Sequence, residues 1–417
     1  MNIVLKEFIR RCFIMNPIYQ IEKKHFNEDI DGATLQNIIT KAIKNVPYYY
    51  QYNNLVNEKF SLNDFPIIRK RDIMGHESEM VSKKTIRSLL QKAETGGSTG
   101  MSLELYYSPT FIIKKQVATD YAFSLIGEDL NVALLRGQRP AEGKIFQKVN
   151  NKQILLSSYL LSEDNIDEYI KLLKEYHINC LHVYPSSLSI FIRLIKAKYG
   201  TIELPDLKGI LSSSEIFSRE EKELTKEVLP NVNIVDYYSQ NESACCAISV
   251  DSGFYRFFSR FGFVEFVDTG ERINGNRIAE IVATSVMNTT MPFIRYATDD
   301  YVELDDNNNV VSIIGRTSDF VVNKAEQLSP CIVVTRTCSM VNVTNFQFYQ
   351  PEAGCLIFRV VVNKNFTDKD KNYLIEDMDS SFNGKMDCDV DVVDSIPRTK
   401  AGKQKRLIQD IEISKYK

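Results

Sequence analysis

The sequence predicts an α/β fold: a large N-terminal domain with helix-covered, mostly parallel sheets plus a small antiparallel, barrel-like subdomain, then a small α+β domain. Three observations carry this. Between residues 132 and 236, short apolar runs alternate with segments of helical periodicity, the pattern of parallel strands covered by helices. From Phe254 the helical periodicity stops, and strand-like runs follow one another across turns such as Asp305-Asp306-Asn307-Asn308-Asn309. After Arg316 comes a last unit of about a hundred residues, enough for a domain of its own.

Taken in order, residues up to about Asn45 space their apolar positions as helices do. The first eleven carry charges inside that pattern and read as an amphipathic helix, packed on its own domain or docked on a membrane surface, rather than as a signal peptide. Val46-Pro47-Tyr48-Tyr49-Tyr50 breaks the helices, and 65–73 is an extended piece leading into a helix start. Residues 103–107 alternate as a strand and 110–126 read as a helix. Then come strand 132–136, helix 161–176 with Ser162 as its cap, and strand 180–184 stopped by Pro185. Helix 187–199, strand 207–212, a helix over 218–229 with a serine cap, and strand 232–236 complete the alternation. Strands at 254–267, 278–284, 301–304 and 310–314 form the antiparallel part. The last unit has strands near 332–334, 343–349, 355–362 and 390–393, and a helix over 369–382 capped by Thr367. The hinge falls at Thr317-Ser318-Asp319, which gives domains 1–316 and 317–417.

Composition narrows the function. A chain of 417 residues with 44% hydrophobic residues can bury large cores. A net charge of −3 without a basic excess argues against nucleic-acid binding. No apolar run reaches the roughly 18 residues of a membrane span. The cysteines are scattered without a CxxC pair, and the four histidines are dispersed, so neither a disulfide framework nor a zinc site is written in the sequence. Reduced thiols point to the cytoplasm.

Five stretches could carry chemistry. Glu94-Thr95-Gly96-Gly97-Ser98-Thr99-Gly100 can wrap a polyphosphate with backbone N–H groups and hydroxyls; by itself it reads equally as a surface turn. It lacks the Gly-Lys-Ser/Thr of a Walker loop. Asp236-Tyr237-Tyr238-Ser239-Gln240-Asn241-Glu242 follows a buried strand and offers a ring to stack on a base and a carboxylate for magnesium, or simply a polar turn. Ile294-Arg295-Tyr296-Ala297-Thr298-Asp299-Asp300 places an acid at a strand end, where it can take ribose hydroxyls or face solvent. Gly315-Arg316-Thr317-Ser318-Asp319-Phe320 offers an arginine fork for phosphate or for a surface ion pair. Ile396-Pro397-Arg398-Thr399-Lys400-Ala401-Gly402-Lys403 sets a lysine behind a glycine turn, able to neutralise a transferring phosphoryl group or to stay solvated.

In this order and spacing the five stretches resemble the adenylate-forming (ANL) superfamily, and most closely its phenylacetate-CoA ligase branch, which includes CapK-type proteins associated with capsular polysaccharide synthesis. The resemblance covers about 46 to 406. It implies ATP and Mg²⁺ as cofactors, with Thr95, Gly96, Gly97, Ser98, Thr99 and Gly100 around the phosphates. Ser214 and Glu215 would lie beside the adenine, Asp236 would meet its amine, and Tyr238, next to Tyr237, would stack on its ring. Glu242 would bind Mg²⁺, Asp300 the ribose, with Arg316 nearby. Lys403 would swing in with a mobile C-terminal lid hinged at Ser318 and Asp319, so that Lys403, Glu242 and Thr99 are the catalytic set. The sequence departs from the pattern at Ser239, Asn241 and Ala325, the last standing where the family has a glycine that helps line the thiol passage.

The expected activity is ATP-dependent conversion of a small carboxylic acid to an acyl-adenylate with release of pyrophosphate, then transfer to a thiol of CoA or a carrier protein. Two alternatives stand beside it: amide or ester transfer to a sugar acceptor without CoA, and an inactive binding protein of the same fold. The acid would sit near 132–136, 182–187 and 243–248, with Arg136, His182, Tyr184, Ser243 and Ala244 around it, Ala247 beside Ala244, and Arg136 or His182 on a second polar group. The resemblance also implies a homodimer.

Overall fold

The computed structural model describes residues 15–57, 60–95, 102–331, 340–399 and 402–416. The chain groups into two compact units. One comprises the residues up to 125, 237–249 and 253–313; the other comprises 126–236, 250–252 and everything from 314 on.

The parallel sheet belongs to the second unit. Its elements are β1 (Val132–Leu135), β2 (Phe146–Asn150), β3 (Gln153–Leu156), α1 (Ile166–Glu175), β4 (Cys180–Val183), α2 (Pro185–Tyr199), β5 (Gly209–Ser213), α3 (Arg219–Val228) and β6 (Asn233–Ser239). The strands run in the order β6-β5-β4-β1-β3-β2. β1 pairs in parallel with β3 and β4, and β4 with β5, so that Leu134 lies opposite His182 and His182 opposite Leu211. Leu135, Leu181, Val183, Ile210 and Phe191 share one core with Tyr169 and Leu224. Residues 185–195 of α2 are buried all round, which suits a helix apolar on every side. Pro185 follows the end of β4, as expected, and also starts α2, since its missing N–H costs nothing at a first-turn position.

Several bounds differ from expectation: the strand expected over 254–267 is split into Arg256–Phe257 and Gly262–Ile273, that over 301–304 starts at Tyr296, and that over 232–236 runs on to Ser239. The helix predicted from 161 begins at Ile166; the carbonyl of Ser162 closes a turn with the N–H groups of Asn165 and Ile166 instead of capping a helix. The antiparallel hairpin β2–β3 lies in a stretch whose polar residues, Gln147, Lys148, Asn150 and Asn151, hid its strand pattern. By contrast Ser218 caps α3 with a full capping box through Glu221.

In the first unit an antiparallel sheet runs β7 (Gly262–Ile273), β8 (Asn276–Ser285), β9 (Tyr296–Leu304) and β10 (Val310–Arg316), β10 returning the chain to the second unit. This unit also holds helices Pro17–His25, Gly32–Asn45 and Pro109–Ser124, the latter with Ser108 as its N-cap.

The C-terminal part of the second unit is a mixed sheet of β11 (Val343–Gln350), β12 (Cys355–Val362), β13 (Asp387–Val392) and β14 (Leu407–Gln409), with helix α4 (Asp368–Ser381) capped by Thr367. β11 pairs antiparallel with β12 and parallel with β14; β12 pairs parallel with β13. Phe346, Phe358, Leu374 and Met378 lie in its core. The expected N-terminal helix and the strand at 332–334 lie outside the described residues, as does most of the glycine-rich stretch, Gly96 to Gly100.

Candidate functional site

Ligands of parallel sheets bind beyond the carboxyl ends of the strands. In the second unit those ends carry Arg136 after β1, Tyr184 after β4, and Ser214 and Glu215 after β5. Strand alternation puts Arg136, His182 and Ser213 on one face, because Leu134, His182 and Leu211 stand abreast. His182 Nε2 lies 3.3 Å from Ser213 Oγ. Burial, reinforced by the Arg136 charge, pushes the His182 imidazole down to about 3, so the ring is neutral at ordinary pH. Arg136 donates from Nη2 to Ser214 Oγ at 3.2 Å, and its guanidinium lies 4.7 Å from the centre of the Tyr184 ring. Its Nε is buried without a hydrogen-bond partner among the described residues.

The C-terminal loop reaches the same strand ends. Arg398 donates to Ser187 Oγ at 3.1 Å and to the Ser158 carbonyl at 3.3 Å. Thr399 donates its N–H to the Lys403 carbonyl, and Gly402 its N–H to the Thr399 carbonyl, both at 2.8 Å. Gly402 sits at φ +76°, and a Cβ there would lie 2.1 Å from the Gly137 Cα, so only glycine fits. One carboxylate bridges loop and lobe: Glu215 accepts from the Gln404 N–H at 3.0 Å and from the Ser186 N–H at 2.9 Å. Lys403 Nζ lies 5.8 Å from the Tyr184 ring centre. Burial pushes the Lys403 ammonium below its ordinary range; Glu215 works against this, and Arg316 and Arg136 add to it. Farther along, Arg406 pairs with Glu221, and its guanidinium lies 4.2 Å from the Phe346 ring centre.

Gly315 precedes Arg316 at φ +109°. A Cβ there would strike Ile216 Cδ1 at 2.4 Å and Asp319 Oδ2 at 2.8 Å. Asp319 accepts the Arg316 N–H at 2.8 Å and closes the short helical turn Thr317–Asp319 where the hinge was expected. Asp236 was expected at a strand end, but β6 continues to Ser239 and Asp236 lies inside it. It is buried and paired with Lys222 at 3.1 Å.

The first unit holds a second cluster. Tyr238 donates its hydroxyl to Asp300 at 2.7 Å and accepts from Gln240 Nε2 at 2.7 Å. Burial, then the Asp300 charge, pushes the Tyr238 phenol well up; burial also raises that of Tyr237. Tyr296 donates to Glu242 at 3.2 Å. Glu242 and Asp300 are both buried. Tyr107 donates to the Asn241 carbonyl, and Asn241 in turn donates to the Glu94 carbonyl at 3.1 Å. Asp300 is not at a strand end, as expected, but within β9. The register jumps there: Glu280 faces Tyr301 and Val282 faces Ala297, leaving residues 298–300 looped out as a bulge. Bulges re-aim side chains, and this one turns on Asp299 at φ +60°. Ser243 and Ala244 are buried, Ser243 donating to the Gln240 and Asn241 carbonyls.

Backbone strain concentrates at these stretches. Among the described residues other than Asn, Asp, His and Gly, positive φ occurs at Ser214, Ser243, Arg295 and Glu326, which adjoin Glu215, Glu242, the Tyr296–Asp300 run and Ala325. Such strain persists only where surrounding structure holds it in place. Sequence reasoning missed Lys115, whose Nζ lies 5.0 Å from the Tyr107 ring centre. Burial lowers its ammonium against the opposing pull of Glu242. It sits in a plain helix with no motif to mark it.

A single buried carboxylate is a poor cage for a metal ion, and no cluster of three or more His, Cys, Asp or Glu residues that could hold one occurs among the described residues. That donor set fits Mg²⁺, which keeps several waters and takes its remaining oxygens from phosphates.

Residues 323–410 match the family model of the CapK C-terminal domain. The whole chain is similar to protein CapK of Staphylococcus aureus, 23% identical over 432 residues, which span 97% of this chain and 92% of that protein. Its fold is that of the adenylate-forming ligases. Against 2-hydroxyisobutyryl-CoA ligase in the postadenylation state with R3-HIB-AMP, the TM-score is 0.64 at 14% identity, covering 91% of this chain and 88% of that one. Against the anthranilate-CoA ligase AuaEII with anthranoyl-AMP it is 0.53 at 12% identity, covering 78% and 67%. The CapK-like chain has no helix, among the described residues, long and apolar enough to cross a membrane.

Proposed function

We propose that this CapK-like chain activates a carboxylic acid with ATP. The acid's carboxylate oxygen attacks the α-phosphorus, the bond to the β,γ-pyrophosphate breaks, and acyl-adenylate and pyrophosphate result. The observation that carries this reading is the placement of Lys403. A lysine late in the chain is set at the carboxyl ends of the parallel strands by a turn that admits only glycine at 402 and by the Glu215 bridge. There its ammonium neutralises charge growing on the phosphoryl oxygens, the largest usual term in such a reaction.

In the same reading Glu242 holds Mg²⁺, which supplies charge to the phosphates, and Asp300 takes the ribose hydroxyls. Tyr238 lends its ring to the adenine, flanked by Tyr237, and Asp236 accepts from the adenine amine while keeping Lys222. Thr95 to Gly100 wrap the phosphates with Thr99 as a donor, Ser214 and Glu215 lie beside the base, and Arg316 serves the phosphates. Residues 317–417 act as the lid, turning about Ser318 and Asp319 between the two half-reactions. The acyl group then passes to a thiol of CoA or a carrier protein. Ala325, in the tight turn where Asn323 Oδ1 accepts the Ala325 and Gln327 N–H groups, favours a second reading of that step. In it the acceptor is an amine or hydroxyl of a sugar, and no CoA takes part.

The test is pyrophosphate release from ATP and Mg²⁺ with pooled carboxylic acids, beside Lys403→Ala. Release that depends on acid and falls by roughly a hundredfold or more in the variant is the expected result. Release that the variant retains in full would remove Lys403 from the chemistry.

A further inference from the structure

Arg136, His182, Ser213 and Ser214 gather at the ends of β1, β4 and β5, where an apolar acid would need an apolar wall. Covering these groups with hydrocarbon would strip their polar partners at a cost of a few kcal/mol. Arg136 is the least satisfied of them. Its hydrogen bond among the described residues goes to Ser214 Oγ, and its Nε has none. Glu215, the carboxylate bridging this region, is committed to the N–H groups of Gln404 and Ser186. His182 brings no opposing or added charge, since burial keeps it neutral. Arg136 and Lys403 sit against the same Tyr184 ring, at 4.7 and 5.8 Å from its centre. An acid whose reacting carboxylate lies by Lys403 therefore needs only a short skeleton to reach Arg136.

We infer that the acid activated by this chain is a short one carrying a second anionic group, seated on the guanidinium of Arg136 with His182 and Ser214 beside it. The inference rests on the reading of function above and narrows it to a substrate class. The planar fork of arginine is suited to a carboxylate, and charge-assisted hydrogen bonds of this kind are strong enough to choose between acids. Arg136 is thus a specificity-determining residue, distinct in role from Lys403.

The experiment is acid-dependent exchange of pyrophosphate into ATP with matched pairs: malonate, succinate and glutarate against propionate, butyrate and valerate. Wild type is expected to favour at least one diacid over its monoacid partner by roughly tenfold or more in kcat/KM, the worth of one charge-assisted bond. Arg136→Gln is expected to collapse that ratio toward one, and Arg136→Lys to restore part of it. A ratio taken within one preparation does not depend on how much of it is folded. Equal use of both series, or preference for monoacids, overturns the inference and leaves adenylation standing. A fall of both series by the same factor in Arg136→Gln also overturns it, and assigns Arg136 to the phosphates. No exchange with either series overturns the inference, and the pooled-acid release described above then decides the functional reading separately.

Discussion

Two clusters of functional groups in this chain are held by different kinds of bond. In the first unit the acids themselves are tied: Asp300 accepts the Tyr238 hydroxyl and Glu242 the Tyr296 hydroxyl, both inside buried surroundings. In the second unit the ties, among the described residues, belong to the loop and not to the ammonium it carries. Arg398, Gly402 and Gln404 fix the backbone, while Lys403 Nζ faces the Tyr184 ring and the field of Glu215. Groups that must hold one orientation are locked by direct hydrogen bonds. In the proposed function Lys403 meets a charge that appears only during reaction, and a group with that task is best delivered by its backbone and left open to it.

That difference predicts where substitutions strike, and the largest effect belongs to the loop. Gly402→Ala puts a Cβ on Gly137 backbone at a φ that disfavours alanine, so the loop must leave its seat. Acid-dependent pyrophosphate release is expected to fall by about a hundredfold, the scale of a misplaced catalytic group, with little change in the affinity for ATP. An ATP affinity that falls in step would show that the two clusters do not divide the work this way.

A smaller effect belongs to the tied cluster. Tyr238→Phe removes the hydroxyl from Asp300 and keeps the ring. Losing one hydrogen bond to a buried charge costs about 1.5–3 kcal/mol, so KM for ATP is expected to rise roughly tenfold or more while kcat at saturation holds. Steady-state kinetics separates the two; a loss confined to kcat would contradict it.

Smaller still is a shift in pH dependence. In the function proposed above Lys403 acts as a cation, so activity is expected to fall as pH rises through its pKa. Burial has already lowered that pKa, and Glu215 holds it up. Glu215→Gln removes the supporting charge while keeping one acceptor for the Gln404 N–H. The alkaline limb of the rate profile is therefore expected at lower pH than in wild type. A limb that moves upward, or stays in place, would separate Glu215 from Lys403.

The alternation of strands and helices was legible from 132 to 236 because buried strands and amphipathic helices write different periods into the sequence. The capping box of α3, Ser218 to Glu221, even marked its first turn. The extension of β6 past Asp236 and of β9 back to Tyr296 was not legible, since polar residues inside buried strands look like turns until their partners are known. Lys222 for Asp236 and Tyr238 for Asp300 are such partners, and both pairs are remote in sequence or lie on different elements. The Glu215 bridge was out of reach for the same reason: a carboxylate taking two backbone N–H groups, one of them 189 positions away, leaves no periodic signal. Gly402 and Gly315 could be noticed as glycines in motifs, but the atoms that exclude a side chain, on Gly137 and Ile216, belong to the tertiary fold.

His182 gives the mildest and most general prediction, one of stability and not of rate. Its folded pKa, about 3, lies below the ordinary value of 6.5 because burial disfavours the charged ring. Above pH 6.5 both folded and unfolded chains hold it neutral, and it adds no pH dependence. Below 6.5 the unfolded chain takes up a proton that the folded chain refuses, so stability falls as pH drops toward 3. The slope from one such group approaches about 1.4 kcal/mol per pH unit. His182→Gln keeps a polar group near Ser213 without a titrating proton. Urea unfolding at pH 7 and pH 5 is expected to show a smaller acid loss in the variant than in wild type, and the same loss in both would mean that the imidazole opens to solvent before the fold gives way.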